Sequence, residues 1–317
     1  MSPPILVDRD RSILRISGRD PVRMIQGLAT ADIAAVSADR GAYTAFLDAK
    51  GRMVADARVF RWPAAREIGD LLLGVNPGAA AGLQAHIQRF VPPLFARQED
   101  RSDEWRVLGV YGAGSGTAIA PLAAAAVPAD APEEHVVPLV ASAGTGAFAA
   151  RSAITGEEGW ELYVAAESAA AVRSELGERG VEAAGAAEFE RRRVAAGKPM
   201  WGAELTTDVI PLEAGLLERA ISQTKGCYTG QEVIVRILHR GHVNRHLRRL
   251  EFAADPPERG TELFEPGVEK ARGVVTSAVV GPAGPIGLGY VRREIEPPGE
   301  LRVGATDGPV VRVMALD

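Results

Sequence analysis

The order of apolar runs along the chain occurs twice, and that repetition restricts the fold more than any single motif. Ile13-Leu14-Arg15-Ile16 alternates like a strand, and Gly18 leads into a helix expected over residues 21–28. Residues 43–47 and 53–60 flank the corner Asp48-Ala49-Lys50-Gly51, where Gly51 tolerates the positive φ of a hairpin turn. Residues 70–75 predict another strand, and Leu83, Ile87 and Phe90 stand at helical spacing. The next stretch repeats this order. Residues 105–111 predict a strand, and a Gly-rich turn follows. Residues 147–154 and 160–164 then flank a turn, and a helix is expected over 167–179. Each half gives strand, helix, hairpin, helix, so one α+β unit is expected in duplicate.

The remainder has a different texture. A charged helix from Glu188 stops at Gly197-Lys198-Pro199, and residues up to 247 show few regular patterns. Short β runs between Gly and Pro turns follow at 247–252, 273–280, 287–291 and 310–315, which predicts a small β-barrel or sandwich. The fold class is α+β with three units, 1–100, 101–240 and 241–317. A net charge of −5, from 36 basic and 41 acidic residues, argues against a DNA-coating protein. The single cysteine excludes an intrachain disulfide and fits a reducing cytoplasm. The N-terminus lacks a signal-peptide pattern. The most apolar stretch, 118–129, is broken by Pro121 and Pro128 and falls short of the roughly 20 residues of a membrane span. A soluble cytoplasmic protein without DNA or membrane partners is expected.

Four constellations carry candidate chemistry. Tyr111-Gly112-Ala113-Gly114-Ser115-Gly116-Thr117 follows a strand, but Thr117 stands where a dinucleotide fingerprint needs its last glycine, so a plain flexible turn competes with nucleotide binding. His239, His242 and His246 with Cys227 offer nitrogen and sulfur ligands. Arg236, Arg240, Arg245, Arg248 and Arg249 surround them and oppose a divalent cation, so no metal is assigned. The same basic residues suit either an anion site or a solvated loop; a nucleic-acid patch lacks stacking aromatics. Cys227, in Lys225-Gly226-Cys227-Tyr228-Thr229-Gly230-Gln231-Glu232, is either a thiol activated by nearby cations or a small buried hydrophobe. In the second hairpin, Glu161 and Tyr163 share one strand face and Trp160 and Leu162 the other. An acid placed there can hold an amino-pyrimidine edge or simply decorate a surface hairpin.

Residues 225–232 resemble the K-G-C-Y-x-G-Q-E signature of the YgfZ-type folate-binding proteins, relatives of the glycine-cleavage T-protein (aminomethyltransferase). Gln26-Gly27-Leu28 with Thr30 and Asp32, the hairpin 47–52, Thr155-Gly156-Glu157 through Glu161, residues 193–197, 273–277 and 288–290 are similar to further elements of that group. The resemblance implies a T-protein-like three-lobed arrangement that binds tetrahydrofolate or a one-carbon derivative. Glu161 matches the acid that grips the pterin, and Arg193 a position near the folate. Glu157, Lys225, Tyr228 and Arg240 are expected to complete the folate set, and Cys227 to be the functional thiol. The T-protein carries paired acids where this chain has Ala55 and Asp56, which leaves Asp56 as the remaining candidate catalytic acid. That loss argues against aminomethyl transfer, and the resemblance to the YgfZ-type proteins implies support of iron–sulfur cluster assembly or repair, with iron–sulfur client proteins as partners. The alternatives are a folate-dependent aminomethyl-type transferase and a non-enzymatic RNA- or protein-interaction module.

Overall fold

A computed structural model describes residues 3–63 and 69–316. The chain opens with β1 (Ile5–Arg9), β2 (Ser12–Ser17), α1 (Pro21–Gln26), β3 (Ala42–Leu47), β4 (Met53–Arg61), β5 (Leu71–Val75), α2 (Pro77–Phe90) and β6 (Arg97–Asp100). It continues with β7 (Trp105–Tyr111), α3 (Ser115–Ile119), β8 (Val136–Pro138), β9 (Phe148–Arg151), β10 (Gly159–Ala165), α4 (Ala169–Glu178), β11 (Glu182–Ala183) and α5 (Ala186–Ala195). Then come α6 (Leu217–Ala220), α7 (Gln231–Arg240), β12 (Arg245–Phe252), β13 (Glu262–Phe264), β14 (Gly273–Gly281), β15 (Gly284–Arg292), β16 (Gly299–Val303) and β17 (Val310–Met314). None of the described helices is long and apolar enough to cross a membrane.

The duplication is visible in the strand order. One sheet runs β3-β4-β5-β2-β6 and the other β8-β9-β10-β7-β1-β11. In each, the unit's opening strand (β2 or β7) lies beside the last strand of a three-stranded meander (β5 or β10), and a helix (α2 or α4) follows. The hairpin β9–β10 therefore corresponds to β4–β5, not to the β3–β4 hairpin that periodicity alone pairs it with. The counterpart of β3 is β8, whose three residues are too few for alternation to register. β1 takes the place beside β7 that β6 takes beside β2, and β11 pairs with its outer edge. Residues 5–9 thus precede the first unit in sequence and lie in the second unit's sheet in space.

Strand alternation divides each sheet into a helix-covered face and a face that meets the other sheet. On the first sheet's outer face, Leu14, Phe46, Ala55, Ala57 and Leu73 pack against Ile25 of α1 and Leu83 and Ile87 of α2. α2 starts where Asn76 accepts the Gly78 N–H and Pro77 occupies the first turn. On the second sheet, Leu108, Trp160, Leu162 and Val164 pack against Val172 and Leu176 of α4. Between the sheets, Ile13, Phe60 and Leu72 meet Val107, Phe148 and Tyr163, with the last two rings stacked 4.6 Å apart. Gly74 makes that stack possible, since a Cβ there would stand 2.8 Å from the Tyr163 hydroxyl.

The C-terminal strands close into a barrel in the order β12-β15-β14-β13-β16-β17, around Leu250, Val275, Val291, Leu301 and Val313. Arg193 of α5 ties this barrel to the rest. Its side chain is fully buried and donates to Glu204 at 2.7 Å, to Ser277 Oγ of β14 at 2.9 Å and to Glu190. Glu204, equally buried, also accepts from Ser277 and Thr276. Removing one partner of such a pair strands a charge in a low-dielectric interior. Arg193→Met is expected to cost about 3–5 kcal/mol in urea unfolding, and the double variant Arg193→Met/Glu204→Met less than the single. Equal losses would show that the ion pair is not the tie.

Candidate functional site

The inter-sheet layer turns polar next to its aromatic part. β4 points Asp56 and Arg58 inward, while Ala55 and Ala57 face the helix-covered core. β10 points Glu161 and Tyr163 inward, as the alternation predicts. Glu161 is 1% exposed and both of its oxygens are engaged. Oε2 accepts from Arg58 at 2.8 Å. Oε1 accepts from the Tyr111 hydroxyl at 2.9 Å and from Arg9 Nε at 3.4 Å, with the Arg11 guanidinium at 3.6 Å. Burial pushes the Glu161 carboxyl up, but Arg58, Arg11 and Arg9 together outweigh it and hold it well below the usual carboxylate range.

Arg58 also donates through Nε to both oxygens of Glu134, at 3.1 and 2.9 Å, and through Nη2 to the Arg151 carbonyl at 2.7 Å. For Glu134, burial outweighs Arg58 and the carboxyl is raised. Its φ of 66° is the one positive value at a described non-glycine residue, so its backbone holds a strained conformation beside this cluster.

Asp56 is 8% exposed. Its Oδ2 accepts from the Tyr43 hydroxyl at 2.9 Å, and its Oδ1 has no partner. Burial raises its carboxyl despite Arg11, the Tyr43 bond and Arg219. Two more buried polar atoms of this layer, Arg11 Nε and the Tyr163 hydroxyl, also lack partners. Such orphans are rare in proteins and concentrate where a ligand or water completes them. Tyr43 lines a cleft of about 460 Å³ together with Glu133, Glu134 and Arg219. The Arg219 guanidinium lies 4.1 Å over the Tyr43 ring and pairs with Glu133 at 2.7 Å. Two of the cleft's lining residues, Tyr43 and Glu134, are thus bonded to Asp56 and Arg58 of the inter-sheet layer.

The other residues singled out in the sequence lie elsewhere. Lys225 Nζ donates to the carbonyls of Gln26, Ala29 and Ala31 at 2.6, 2.6 and 3.0 Å, and burial lowers its ammonium to about 8. Tyr228 is buried in the core shared with Leu47 and Met53, which pushes its hydroxyl up to about 12. Gly230, at φ 82°, packs on the β3–β4 corner, where a Cβ would stand 2.5 Å from the Asp48 carbonyl. The octet is therefore a clamp that holds α7 onto the first unit. Cys227 stands exposed on this clamp, and Arg240 is exposed at the end of α7. Glu157 is exposed and pairs with Arg192 at 3.0 Å. The Gly-rich turn has its own occupant, since Gly114 N and Gly116 N donate to Glu158 at 2.9 and 2.8 Å. Among the described residues, no group of three His, Cys, Asp or Glu side chains can hold a metal ion. The sequence reading passed over Tyr43, Arg58, Glu134, Arg219 and Arg11. Arg58 carried a usable signal, since it stands two residues from Asp56 and so shares its face.

Residues 11–225 match the family profile described as the GCVT N-terminal domain. The chain belongs to this family. Among its relatives, an aminomethyltransferase from Saccharopolyspora erythraea is 26% identical over 96% of this chain and 83% of its own length. Another, from Rubrobacter xylanophilus, is 29% identical over 94% of this chain and 78% of its own length. The crystal structure of glycine cleavage system aminomethyltransferase T from Bartonella henselae superposes with a TM-score of 0.85 at 21% identity, covering 99% of this chain and 86% of that one. The T-protein-like α+β architecture with a C-terminal β-barrel is the same in both.

Two expectations are overturned by these matches. The YgfZ-type assignment gives way to the T-protein group itself, because near-full-length similarity runs to aminomethyltransferases. The iron–sulfur assembly or repair role falls with it, since the same matches favour an aminomethyltransferase-like chain. The structural reason is in β4. The missing acid at position 55 was the argument against transfer chemistry, yet Ala55 faces the helix-packed core. An acid there would lie on the wrong face of the sheet, and the inward carboxylate, Asp56, is retained.

Proposed function

We propose that this chain is a folate-dependent transferase of an aminomethyl-type one-carbon group. The observation that carries the reading is Asp56, a buried carboxylate with one free oxygen set behind a cleft of a T-protein-like fold. Tetrahydrofolate, when bound, supplies the amine nitrogens that accept the one-carbon unit. The site's groups fit it, since a free acceptor on Asp56 and a free donor on Arg11 match a polar heterocycle edge. Burial raises the Asp56 carboxyl above the ordinary aspartate range, which suits it to proton transfer. Tyr43 fixes its other oxygen, and Arg219 and Glu133 close the cleft wall. In this reading Arg193, Lys225 and Tyr228 hold the frame in which the folate sits, and Cys227, Glu157 and Arg240 stand outside it.

Calorimetry with tetrahydrofolate and its methylene form, paired with an assay for methylenetetrahydrofolate released from an aminomethyl donor, tests the proposal. Binding with turnover is expected. Tight binding with no turnover on any aminomethyl or N-methyl donor would exclude the transferase.

A further inference from the structure

The first sheet ends on β6, which pairs with β2 along one side. Among the described residues no strand takes its other side, so backbone N–H and C=O groups there are open to a further strand. The sequence of β6 is Arg97-Gln98-Glu99-Asp100. Gln98 and Asp100 stand opposite Ile16 and Leu14, which face the helix-covered core, so Arg97 and Glu99 share the other face. Just before β6 lie Phe90, Leu94 and Phe95, 47, 63 and 40% exposed, three of the six exposed large apolar side chains among the described residues. Apolar surface gathered in this way marks an interaction site.

We propose that β6 and this apolar segment are the interface for a second copy of the chain, with the two β6 strands antiparallel about a two-fold axis through Gln98. An axis perpendicular to the sheet keeps each side chain on its own face, so only residues of one face can stand opposite each other. Centred on Arg97, Glu99 or Asp100, the pairing sets that charge against itself. Centred on Gln98, it sets Arg97 of each copy against Glu99 of the other. The charges that would guard this edge against a strand in the other registers become attractive in that one. At the axis the two Gln98 amides face each other. Gln98 Nε2 donates to the Gln84 carbonyl at 2.8 Å and has a second N–H to give, while its Oε1 has no partner within the chain. Two four-residue strands bury too little for a stable interface, which needs about 1,000 Å². Phe90, Leu94 and Phe95 supply further apolar area beside them. The inference is independent of the proposed function.

Sedimentation velocity on the full chain tests it. Wild type is expected to dimerise with rising concentration. Arg97→Glu sets acid against acid at both symmetric pairs and Glu99→Lys base against base, and each is expected to weaken the dimer about 10-fold or more. Leu94→Asp should weaken it through the apolar part. All three changes lie at the surface, and thermal melts check that the variants fold. An equal mixture of Arg97→Glu and Glu99→Lys is expected to restore the dimer, because in the mixed pair each position 97 faces a position 99 of opposite charge. A wild type that stays monomeric up to about 100 μM overturns the proposal. A dimer that neither charge variant weakens has its interface elsewhere and overturns it too. A mixture that forms no more dimer than its two components overturns the register.

Discussion

Arg58→Met is expected to be among the most destabilising single changes in this chain, with a loss of about 3–5 kcal/mol at pH 8. Methionine fills most of the volume and brings no charge, so the loss measures the electrostatics. Arg58 is 3% exposed and is the hydrogen-bond donor common to Glu134 and Glu161. Without it Glu161 keeps Arg9, Arg11 and Tyr111, while Glu134 loses the cation that lowers it most. The loss has a definite pH dependence. Both carboxyls rise in the folded variant, and a carboxyl raised above its unfolded value destabilises increasingly as pH climbs from the unfolded to the folded pKa. Urea unfolding of Arg58→Met is therefore expected to come closer to wild type at pH 5 than at pH 8. Adding Glu134→Leu should restore part of the loss at pH 8. A loss below about 1 kcal/mol at pH 8, or one independent of pH, would mean that solvent reaches these carboxylates and screens them.

The second large effect is on turnover. Asp56→Asn is expected to slow transfer by about 10²- to 10⁴-fold, the range for losing a positioned proton-transfer group. Stability should move the other way. Because burial raises the Asp56 carboxyl in the folded state, its ionisation costs stability as pH rises above the ordinary aspartate range. An amide removes that cost and still accepts the Tyr43 hydroxyl. A rate within tenfold of wild type would remove Asp56 from the proton chemistry. A large drop in thermal midpoint at pH 8 would make the rate loss a folding effect.

Together these results would separate the frame from the chemistry of one polar layer. Arg58, Glu134 and Glu161 form the frame, an ion-pair network whose disruption destabilises the fold. Asp56 and Arg11 form the open part, each with a buried polar atom that has no partner. Natural proteins keep such costly groups where function needs them.

Much of this was legible without coordinates. A period of two places Asp56 with Arg58 and Glu161 with Tyr163, and Gly51 marks the β3–β4 corner. The barrel strands show between their turns, apart from β13 and β16, which are three and five residues long. α7 was not legible, because Val233-Ile234-Val235 reads as β-branched strand material; Gly230 and the clamp of Lys225 set it as a helix.

What periodicity cannot supply is the group that stands opposite a side chain. Glu161 meets Arg58 across 103 residues of chain and Arg9 across 152, and Lys225 reaches Gln26 across 199. An acid with one unpartnered oxygen and an acid with both oxygens bonded look identical in a sequence. The sequence alone determined the α+β repeat, the barrel and the inward face of each strand, because those follow from local alternation and turn chemistry. Only the tertiary structure decided that Glu161 meets arginines on both of its oxygens, that Asp56 keeps one oxygen without a partner and that Ala55 faces the helix-covered core, because each depends on which strands the folded chain brings face to face.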